Sequence, residues 1–142
     1  MRSWRVCREV HADLSGEGAR LYGGRWNSPG RAMVYTADNP ALAALEVRVH
    51  LDLPRNLLPE DYVLLGIDLG DAPLERIAEL PPDPAAVGTE WLASRRSALL
   101  QVPSAIVPEC SNLLINPAHP EAGQLRVILR RPFTFDARLW SP

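Results

Sequence analysis

Lysine is absent from this chain of 142 residues, so all 15 basic side chains are arginines. Every permanent side-chain cation is therefore a planar guanidinium that can bind an anion in a bidentate manner. The net charge of −2 lacks the basic excess typical of nucleic-acid-binding domains. Residues 52–90 hold nine acidic side chains against two arginines, a charge of −7 that suits either a solvated face or a basic partner.

Cysteines are scarce, and long apolar runs are missing. Cys7 and Cys110 do not have the spacing of metal ligands, and the 3 histidines are scattered, so we expect no metal. No apolar run approaches the roughly 20 residues that cross a bilayer. The first residues also lack the apolar core of a signal peptide. We therefore expect a cytoplasmic protein that does not enter a membrane.

The chain length and the hydrophobic fraction of 46% predict one compact domain over residues 1–142. Residue patterns predict strands over 3–10, 32–37, 61–70, 101–108, 111–117 and 124–135, helices over 40–51 and 89–100, and loops over 11–31 and 81–88. Residues 72–80 are compatible with a helix or a strand. Asn39 and Thr89 are the predicted N-caps, and Pro103 predicts a sheet edge or a bulge. Strands that do not alternate strictly with helices favour an α+β fold with mixed or antiparallel sheets.

Glu46 falls on the face of the first predicted helix that should point into the core. Leu42, Leu45 and Val49 form an apolar stripe at helical spacing, and Glu46 occupies the i+4 position of that stripe. A carboxylate directed into a protein is costly unless it is paired or hydrogen-bonded. A salt bridge to an arginine or a cap on a loop amide would be a structural solution. A functional carboxylate that lines a cleft is the alternative.

Residues 21–37, LYGGRWNSPGRAMVYTA, place a polar cluster on adjacent glycines just before a strand. The glycines leave the backbone without side-chain bulk beside Arg25, whose guanidinium matches a phosphate. An ordinary surface arginine after a turn is the alternative. Trp26 and Tyr35 are either core residues or surfaces on which a heteroaromatic ring stacks. Ser104 lies outside any G-x-S-x-G setting, so a serine-hydrolase elbow is not indicated. These residues are compatible with an enzyme that binds a phosphate-bearing substrate, and they do not identify one.

The string GGRWNSPGRAMVYTADNPALAALEV resembles the signature of RES-domain proteins, which are named for Arg, Glu and Ser. LLQVPSAIVPECSNLLINPAHPEA matches the second half of that signature, and VGTEWL and PFTFDARLW also fit, so the resemblance covers nearly the whole chain. Matched position by position, the family's functional residues fall on Arg25, Tyr35, Glu46 and Ser104. Asn112 and Asn116 match family positions near the site. Ser111 remains an alternative to Ser104.

The resemblance implies a toxin of a type II toxin–antitoxin pair, with a helix-turn-helix antitoxin of the Xre type as partner. It also implies a fold similar to that of bacterial ADP-ribosyltransferase toxins, with NAD as the substrate and no metal. NAD hydrolysis, NAD phosphorolysis and transfer of ADP-ribose to an acceptor protein all stay open, as does a homodimer within the antitoxin complex.

Each matched residue has a role to fill in cleavage of NAD at the nicotinamide–ribose bond. Glu46 would stabilise the positive charge that builds on the ribose. Arg25 would bind the pyrophosphate, and Tyr35 or Trp26 would form a wall for the nicotinamide. Ser104 and Asn112 would orient hydroxyls or the amide. A non-catalytic nucleotide-binding module or an RNA-targeting toxin is the alternative, although the latter would be expected to show a basic face.

Overall fold

The computed structural model describes residues 1–140 of the chain. Within these residues, the strands are β1 (Arg2–Arg8), β2 (Val34–Ala37), β3 (Tyr62–Asp68), β4 (Leu74–Arg76), β5 (Leu99–Pro103), β6 (Ser111–Ile115) and β7 (Arg126–Pro132). The α-helices are α1 (Glu17–Tyr22), α2 (Pro40–Val49) and α3 (Pro84–Ser94). Short 3-10 helices occupy Glu9–His11, Arg55–Leu57, Ala122–Gln124 and Ala137–Leu139.

The strands form one mixed sheet in the order β4-β5-β6-β2-β1-β3-β7. β4 and β5 run parallel, and the remaining neighbours that the structure describes run antiparallel. β1 and β2 meet at a single pair, Trp4 opposite Ala37. This mixed sheet with three helices confirms the α+β prediction. None of the described helices is both long enough and apolar enough to span a membrane.

Both faces of the sheet are covered at its central strands, and β2 shows how the side chains divide between them. Val34 joins a buried cluster on one face, against which residues of loops, such as Leu14 and Ala72, pack. Tyr35 and Ala37 point the other way, into clusters that include residues of α3 and α2 respectively. We call this second side the helical face. Because β3 is covered on both sides, all but the last of its residues are buried.

The first predicted helix and its cap are confirmed. Asn39 accepts a hydrogen bond from the backbone N–H of Leu42 at 2.8 Å, and Pro40 is the first residue of α2. An N-terminal proline costs nothing there because its missing N–H would have had no partner within the helix. The predicted strands are also present, with shifts of a few residues at their ends. Residues 72–80 contain a strand, β4, and no helix.

The prediction for the second long helix is wrong at both ends. α3 begins at Pro84, inside the segment predicted as a proline-rich loop, and its N-cap is Asp83, which accepts from the N–H of Ala86 at 3.1 Å. Thr89 lies in the middle of the helix. The helix ends where Arg95 adopts a left-handed conformation with φ of 55°, and the apolar residues that follow belong to β5. An aspartate followed by proline is itself a helix-start signal, which the proline content of this segment obscured.

The prediction of a continuous loop over residues 11–31 is also wrong, because α1 lies within it. Gly16 and Gly23 flank this helix with positive φ values of 70° and 74°. The helix is held by the loop that follows it: the N–H of Gly30 donates to the carbonyl of Arg20 at 2.7 Å. A six-residue helix supported by long-range contacts has no strong signal in its own sequence.

Pro103 lies where a proline is tolerated, although β5 is an internal strand. β4 pairs with β5 only as far as Arg76 opposite Gln101. Pro103 therefore has no partner on β4, and its missing N–H removes no hydrogen bond between these two strands. It pairs with Ser111 on the other side, at the mouth of the loop that connects β5 to β6.

Candidate active site

A tight turn places Arg25 at the surface. The N–H of Gly24 donates to the carbonyl of Asn27 at 3.0 Å, and the N–H of Asn27 donates to the carbonyl of Gly24 at 3.4 Å. Arg25 and Trp26 therefore form the corner of a turn over residues 24–27, which we call the arginine turn. Arg25 is exposed, and none of the ion pairs within residues 1–140 involves it. Its guanidinium is thus available to an anionic ligand.

Trp26 leaves the same turn in the opposite direction. Its side chain is only 2% exposed and packs in a cluster with Met33, Trp91 and Leu114 on the helical face. The expectation that Trp26 stacks on a ligand is therefore corrected: its indole anchors the turn in the core. Core packing, the more common fate of a tryptophan, applies here.

Tyr35 contacts the turn through its hydroxyl group. The phenol oxygen accepts a hydrogen bond from the N–H of Trp26 at 2.9 Å and donates one to Oδ1 of Asn27 at 2.5 Å. Burial raises the pKa of Tyr35 to about 12, with opposing effects from the two turn residues and from nearby Arg25. The hydroxyl therefore stays protonated at neutral pH and acts as a hydrogen-bond donor.

Asn27 and Gly88 are two residues of this region that sequence reasoning did not single out. Nδ2 of the buried Asn27 donates to the carbonyls of Ala19 and Arg31, each at 2.9 Å, which ties the turn to α1 and to the approach to β2. Gly88 lets α3 touch the turn, because a Cβ built there would lie 1.8 Å from the carbonyl oxygen of Trp26. A sequence pattern cannot signal such a contact between distant segments.

Glu46 projects from α2 toward the ends of β5 and β6. Its Oε1 accepts a hydrogen bond from Nδ2 of Asn112 at 2.7 Å, and its Oε2 accepts one from the hydroxyl of Ser104 at 3.2 Å. Both partners are uncharged. None of the ion pairs among residues 1–140 involves Glu46, so the salt bridge considered as a structural solution is not found.

Burial raises the pKa of Glu46 above its ordinary value of 4.5. The hydrogen bonds from Asn112 and Ser104 oppose that rise, as does the weaker influence of His50, whereas Asp38 adds to it. The carboxylate is thus held in position by two neutral donors, and its negative charge is not compensated by a neighbouring guanidinium.

The apolar stripe predicted for α2 is only partly confirmed. Leu42 is buried as predicted, but Val49 is 50% exposed, and Ala43 and Val47 pack in the core beside Leu42 instead. The buried face of α2 is therefore rotated relative to the predicted stripe, and Glu46 lies at its margin. Its inward direction comes from two polar partners, Ser104 just after β5 and Asn112 on β6, which the helix pattern could not reveal.

Ser104 and Ser111 differ in the direction of their side chains. Ser104 is fully buried; its hydroxyl contacts Glu46 and accepts hydrogen bonds from the N–H groups of Ile106 and Val107, each at 3.2 Å. Ser111 precedes Asn112 on β6 and so points to the opposite face, where its hydroxyl accepts from Gln101 at 3.1 Å.

Asn116, which was expected near the site, instead joins β6 to α3. Its Nδ2 donates to the carbonyl of Leu92 at 3.1 Å, and its Oδ1 accepts from the N–H of Ala118 at the same distance. The buried amide thus fastens the helix to the sheet, and it makes no hydrogen bond to Glu46.

Strand register brings the two halves of the site to one face of the sheet. Tyr35 lies opposite Leu114, and Ala37 lies opposite Asn112, so Tyr35 and Asn112 are diagonal neighbours on β2 and β6. Diagonal neighbours on one face lie roughly 7–8 Å apart. The carboxylate held by Asn112 and the arginine turn held by Tyr35 therefore flank the same short stretch of β2, on the helical face.

Two surface cavities lie away from these residues. One, of about 350 Å³, is lined by residues that include Glu9, Tyr62 and Arg130, and the other, of about 260 Å³, by residues around His11 and Glu17. Neither is lined by Arg25 or Glu46. Within residues 1–140, no group of three or more His, Cys, Asp or Glu side chains is arranged to hold a metal ion.

Comparison with known proteins identifies the family. The sequence model of the RES domain family matches residues 2–136. The Prs ADP-ribosylating toxin of Sphingobium sp. (strain YBL2) is 40% identical to this chain, over 96% of this chain and 94% of the relative. Toxin Res of Pseudomonas putida (strain KT2440) is 38% identical, over 96% and 98% respectively.

Among solved structures, a chain of the M. tuberculosis MbcT–MbcA toxin–antitoxin complex superposes with a TM-score of 0.77. The match covers 94% of this chain and 84% of that one, at 24% sequence identity, and therefore speaks to the fold alone. Together with the domain match over nearly the full length, these relatives show that the chain belongs to the RES-domain family.

Proposed function

We propose that this protein is the toxin of a toxin–antitoxin pair and that it cleaves the bond between nicotinamide and ribose in NAD. The observation that carries the proposal is the carboxylate of Glu46, half-buried and held by two neutral donors without a neighbouring guanidinium. A negative charge held in this way is suited to a cationic partner that arrives with the substrate.

Glu46 matches the charge that develops during this reaction. When the glycosidic C–N bond breaks, its electron pair leaves with the nicotinamide, which becomes neutral, and positive charge builds on the ribose. A carboxylate fixed beside the ribose stabilises that state more than it stabilises the ground state, as in glycoside cleavage. Asn112 and Ser104 occupy one acceptor position on each oxygen, which leaves others for a ribose hydroxyl.

Arg25 supplies the complementary part of the site. Its exposed guanidinium can bind a pyrophosphate in a bidentate manner, which would place the ribose next to it on the helical face, toward Glu46. The half-buried Tyr35 contacts the turn that carries Arg25 and lies on the same face of the sheet as Asn112, which holds Glu46. In this assignment, Trp26 has no direct contact with the substrate.

The relatives support the toxin assignment and an antitoxin partner. Two of them are named as toxins, and the superposed structure is that of a toxin–antitoxin complex. We propose that the partner of this chain is a helix-turn-helix antitoxin of the Xre type and that the pair acts in the cytoplasm. Because Arg25 is exposed, an antitoxin that covers the arginine turn and α2 would deny NAD access to Glu46.

Transfer of ADP-ribose to a protein is the second candidate, favoured by one specific observation: the Sphingobium relative is named for ADP-ribosylation of Prs. Both reactions break the same bond and need the same carboxylate. They differ in the nucleophile: either water or an acceptor side chain then forms a bond to the anomeric carbon of the ribose and loses a proton. Incubation with NAD labelled in its ADP-ribose part and a cell lysate distinguishes them, since transfer leaves the label on a protein band.

The decisive experiment measures nicotinamide release from NAD by the isolated chain. We expect turnover by the wild type and a loss of about 10³-fold for Glu46→Ala, because the variant removes the only proposed group that stabilises the ribose cation. Ser111→Ala, on the opposite face of the sheet, should retain wild-type activity. Binding of NAD without any turnover would instead identify a nucleotide-binding module.

Expression in cells gives an independent readout. The wild-type chain without its antitoxin should arrest growth and lower cellular NAD, and Arg25→Ala or Glu46→Ala should relieve both effects. Full toxicity of Glu46→Ala at wild-type protein levels would show that the proposed chemistry is wrong.

A further inference from the structure

Asn27 is buried at the centre of the arginine turn, and its amide orientation is set by its surroundings. Nδ2 faces the carbonyls of Ala19, Ser28 and Arg31 at 2.9, 3.3 and 2.9 Å. Since carbonyls only accept hydrogen bonds, the NH₂ group must point toward them. Oδ1 therefore faces the hydroxyl of Tyr35, which must act as the donor in that contact.

The hydroxyl of Tyr35 is occupied by the turn. Its single proton is given to Asn27, and it also accepts the N–H of Trp26, the residue next to Arg25. A phenol has only one proton to donate, so none is left for a ligand. The contact is also sterically close, because a Cβ added to Gly24 would lie 2.5 Å from the phenol oxygen.

These contacts connect β2 to the residue that presents the guanidinium. Tyr35 contacts Trp26 and Asn27 through its hydroxyl. Backbone hydrogen bonds join Gly24 to Asn27, and the side chain of Arg25 between them is exposed. The position of the arginine therefore depends on bonds made by its two neighbours. A displacement of about 1 Å in such a group can cost about 100-fold in rate or binding.

We propose that Asn27 and Tyr35 are positioning residues that act on the substrate through Arg25, by holding the turn in the conformation that presents the guanidinium to a pyrophosphate group. This inference rests on the proposed function for the identity of the ligand. It assigns a role to Asn27, and it adds an indirect role for the Tyr35 hydroxyl to the wall that the Tyr35 ring was predicted to form for the nicotinamide.

The kinetic constants separate these two roles. Arg25 would bind the pyrophosphate equally in the ground state and the transition state, so a displaced Arg25 should raise KM and leave kcat nearly unchanged. A hydroxyl that contacts the reacting ribose or the nicotinamide would instead affect kcat. Tyr35→Phe keeps the ring and its packing and removes only the hydroxyl, so it is the principal variant, with Asn27→Ala as the second.

The experiment measures kcat and KM for NAD in the wild type, Tyr35→Phe, Asn27→Ala and Arg25→Ala, and in the double variant Y35F/R25A. We expect Tyr35→Phe and Asn27→Ala each to raise KM by roughly 10-fold to 100-fold, with kcat within about threefold of wild type. In the Arg25→Ala background, Tyr35→Phe should change KM by less than about twofold, because the two substitutions act on one interaction. Tyr22→Phe, which removes a hydroxyl from a tyrosine that is 81% exposed, is the matched control and should behave as wild type.

Binding of ADP-ribose, measured by calorimetry, tests the same inference without catalysis. Tyr35→Phe should weaken it by the same factor as it raises KM, and again only when Arg25 is present. Absence of NAD turnover together with this binding pattern would contradict the proposed function and uphold the positioning role. A fall in kcat at constant KM, an equal effect of Tyr35→Phe with and without Arg25, or no ADP-ribose binding by the wild type would overturn it. Thermal unfolding of each variant confirms that it is folded at the assay temperature.

Discussion

At the scale of single residues, the choice of partners around Glu46 decides what its carboxylate can do. An arginine partner would hold the carboxylate in place but also neutralise it. Asn112 and Ser104 hold it through hydrogen bonds and leave its charge uncompensated. Such an arrangement is costly for folding, because burial disfavours the ionised form. Functional sites commonly carry a cost of this kind.

Glu46→Gln tests the balance between stability and function. Burial raises the pKa of Glu46 in the folded state, so the folded protein binds the proton more tightly than the unfolded chain. This stabilising contribution is fully present below the ordinary pKa of 4.5 and is lost as the pH rises through the folded-state value. Glu46→Gln cannot ionise, so we expect the melting temperature of wild type to fall relative to that of the variant as the pH rises from 4.5 to neutrality, and the activity of the variant to be lower by about 10³-fold.

The melting temperature of wild type should rise relative to that of Glu46→Gln as the pH is lowered toward 4.5, since wild-type Glu46 then becomes neutral as well. Thermal unfolding of both proteins across this range measures the difference directly. A lower melting temperature for the variant at neutral pH, unchanged on acidification, would contradict the assignment of a raised pKa.

Asn112→Ala should change the pH dependence of activity. Its amide donates to the Glu46 carboxylate and favours the ionised form, so its removal raises the pKa of Glu46 further. As the pH is lowered, activity that requires ionised Glu46 should then be lost at a higher pH than in wild type. At neutral pH we expect activity to be lower by about 10-fold to 100-fold. The pH profile of kcat/KM measures both effects. Ser111→Ala, one residue earlier and on the opposite face, should keep the wild-type profile.

At the scale of elements, α3 approaches the arginine turn closely. Gly88 brings the helix against the carbonyl of Trp26, and the next residue, Thr89, accepts a hydrogen bond from the N–H of Ser28 at 3.2 Å. α3 therefore supports the turn in addition to Tyr35. The helix is in turn fastened to β6 by Asn116.

Gly88→Ala should force the helix and the turn apart. The new Cβ would lie 1.8 Å from the Trp26 carbonyl oxygen, a distance that only a shift of backbone can relieve. We expect a loss of about 1–3 kcal/mol in the free energy of unfolding and a raised KM for NAD, because Arg25 moves with the turn. Chemical denaturation and steady-state kinetics measure the two effects.

Gly123→Ala is the matched control for Gly88→Ala. A Cβ at Gly123 meets no atom within 4 Å, so this substitution should change the free energy of unfolding by less than about 0.5 kcal/mol and leave activity unchanged. Wild-type stability and KM in Gly88→Ala would show that α3 does not support the turn.

At the scale of the whole molecule, the site spans two groups of elements. α2 contributes Glu46 from beside β1, whereas the arginine turn rests on α3 and the cluster around Trp91. The strands β1 and β2 that join the two sides of the sheet share a single register pair, Trp4 opposite Ala37. A ligand that contacts both Arg25 and Glu46 would therefore add a connection between them.

NAD should stabilise the folded protein when catalysis is prevented. In Glu46→Gln, NAD at about 100 times its Kd would add about 2.7 kcal/mol to the free energy of unfolding, or roughly 5–10 °C in melting temperature. Adding Arg25→Ala to this variant should abolish most of the shift at the same NAD concentration. Thermal unfolding with and without NAD measures it, and an equal shift in both proteins would show that Arg25 does not bind the dinucleotide.

The sequence by itself determined the elements whose signals are local. Asn39 followed by Pro40 marks the start of α2, because a capping side chain and a proline at the first position act within one turn of the chain. Alternating apolar residues marked β3, and the family motifs pointed to Arg25, Tyr35, Glu46 and Ser104. These signals depend on residue type and short spacing, which a sequence displays directly.

Only the tertiary structure decided how these residues meet. The burial of Trp26, the contact of Tyr35 with Asn27, the approach of α3 at Gly88 and the orientation of Ser104 toward Glu46 all join segments that are distant in the chain. Strand register alone places Tyr35 and Asn112 on one face, since a shift by one residue would turn either side chain away. Hydrogen bonds and packing between different segments set these directions, and residue types alone do not indicate such contacts.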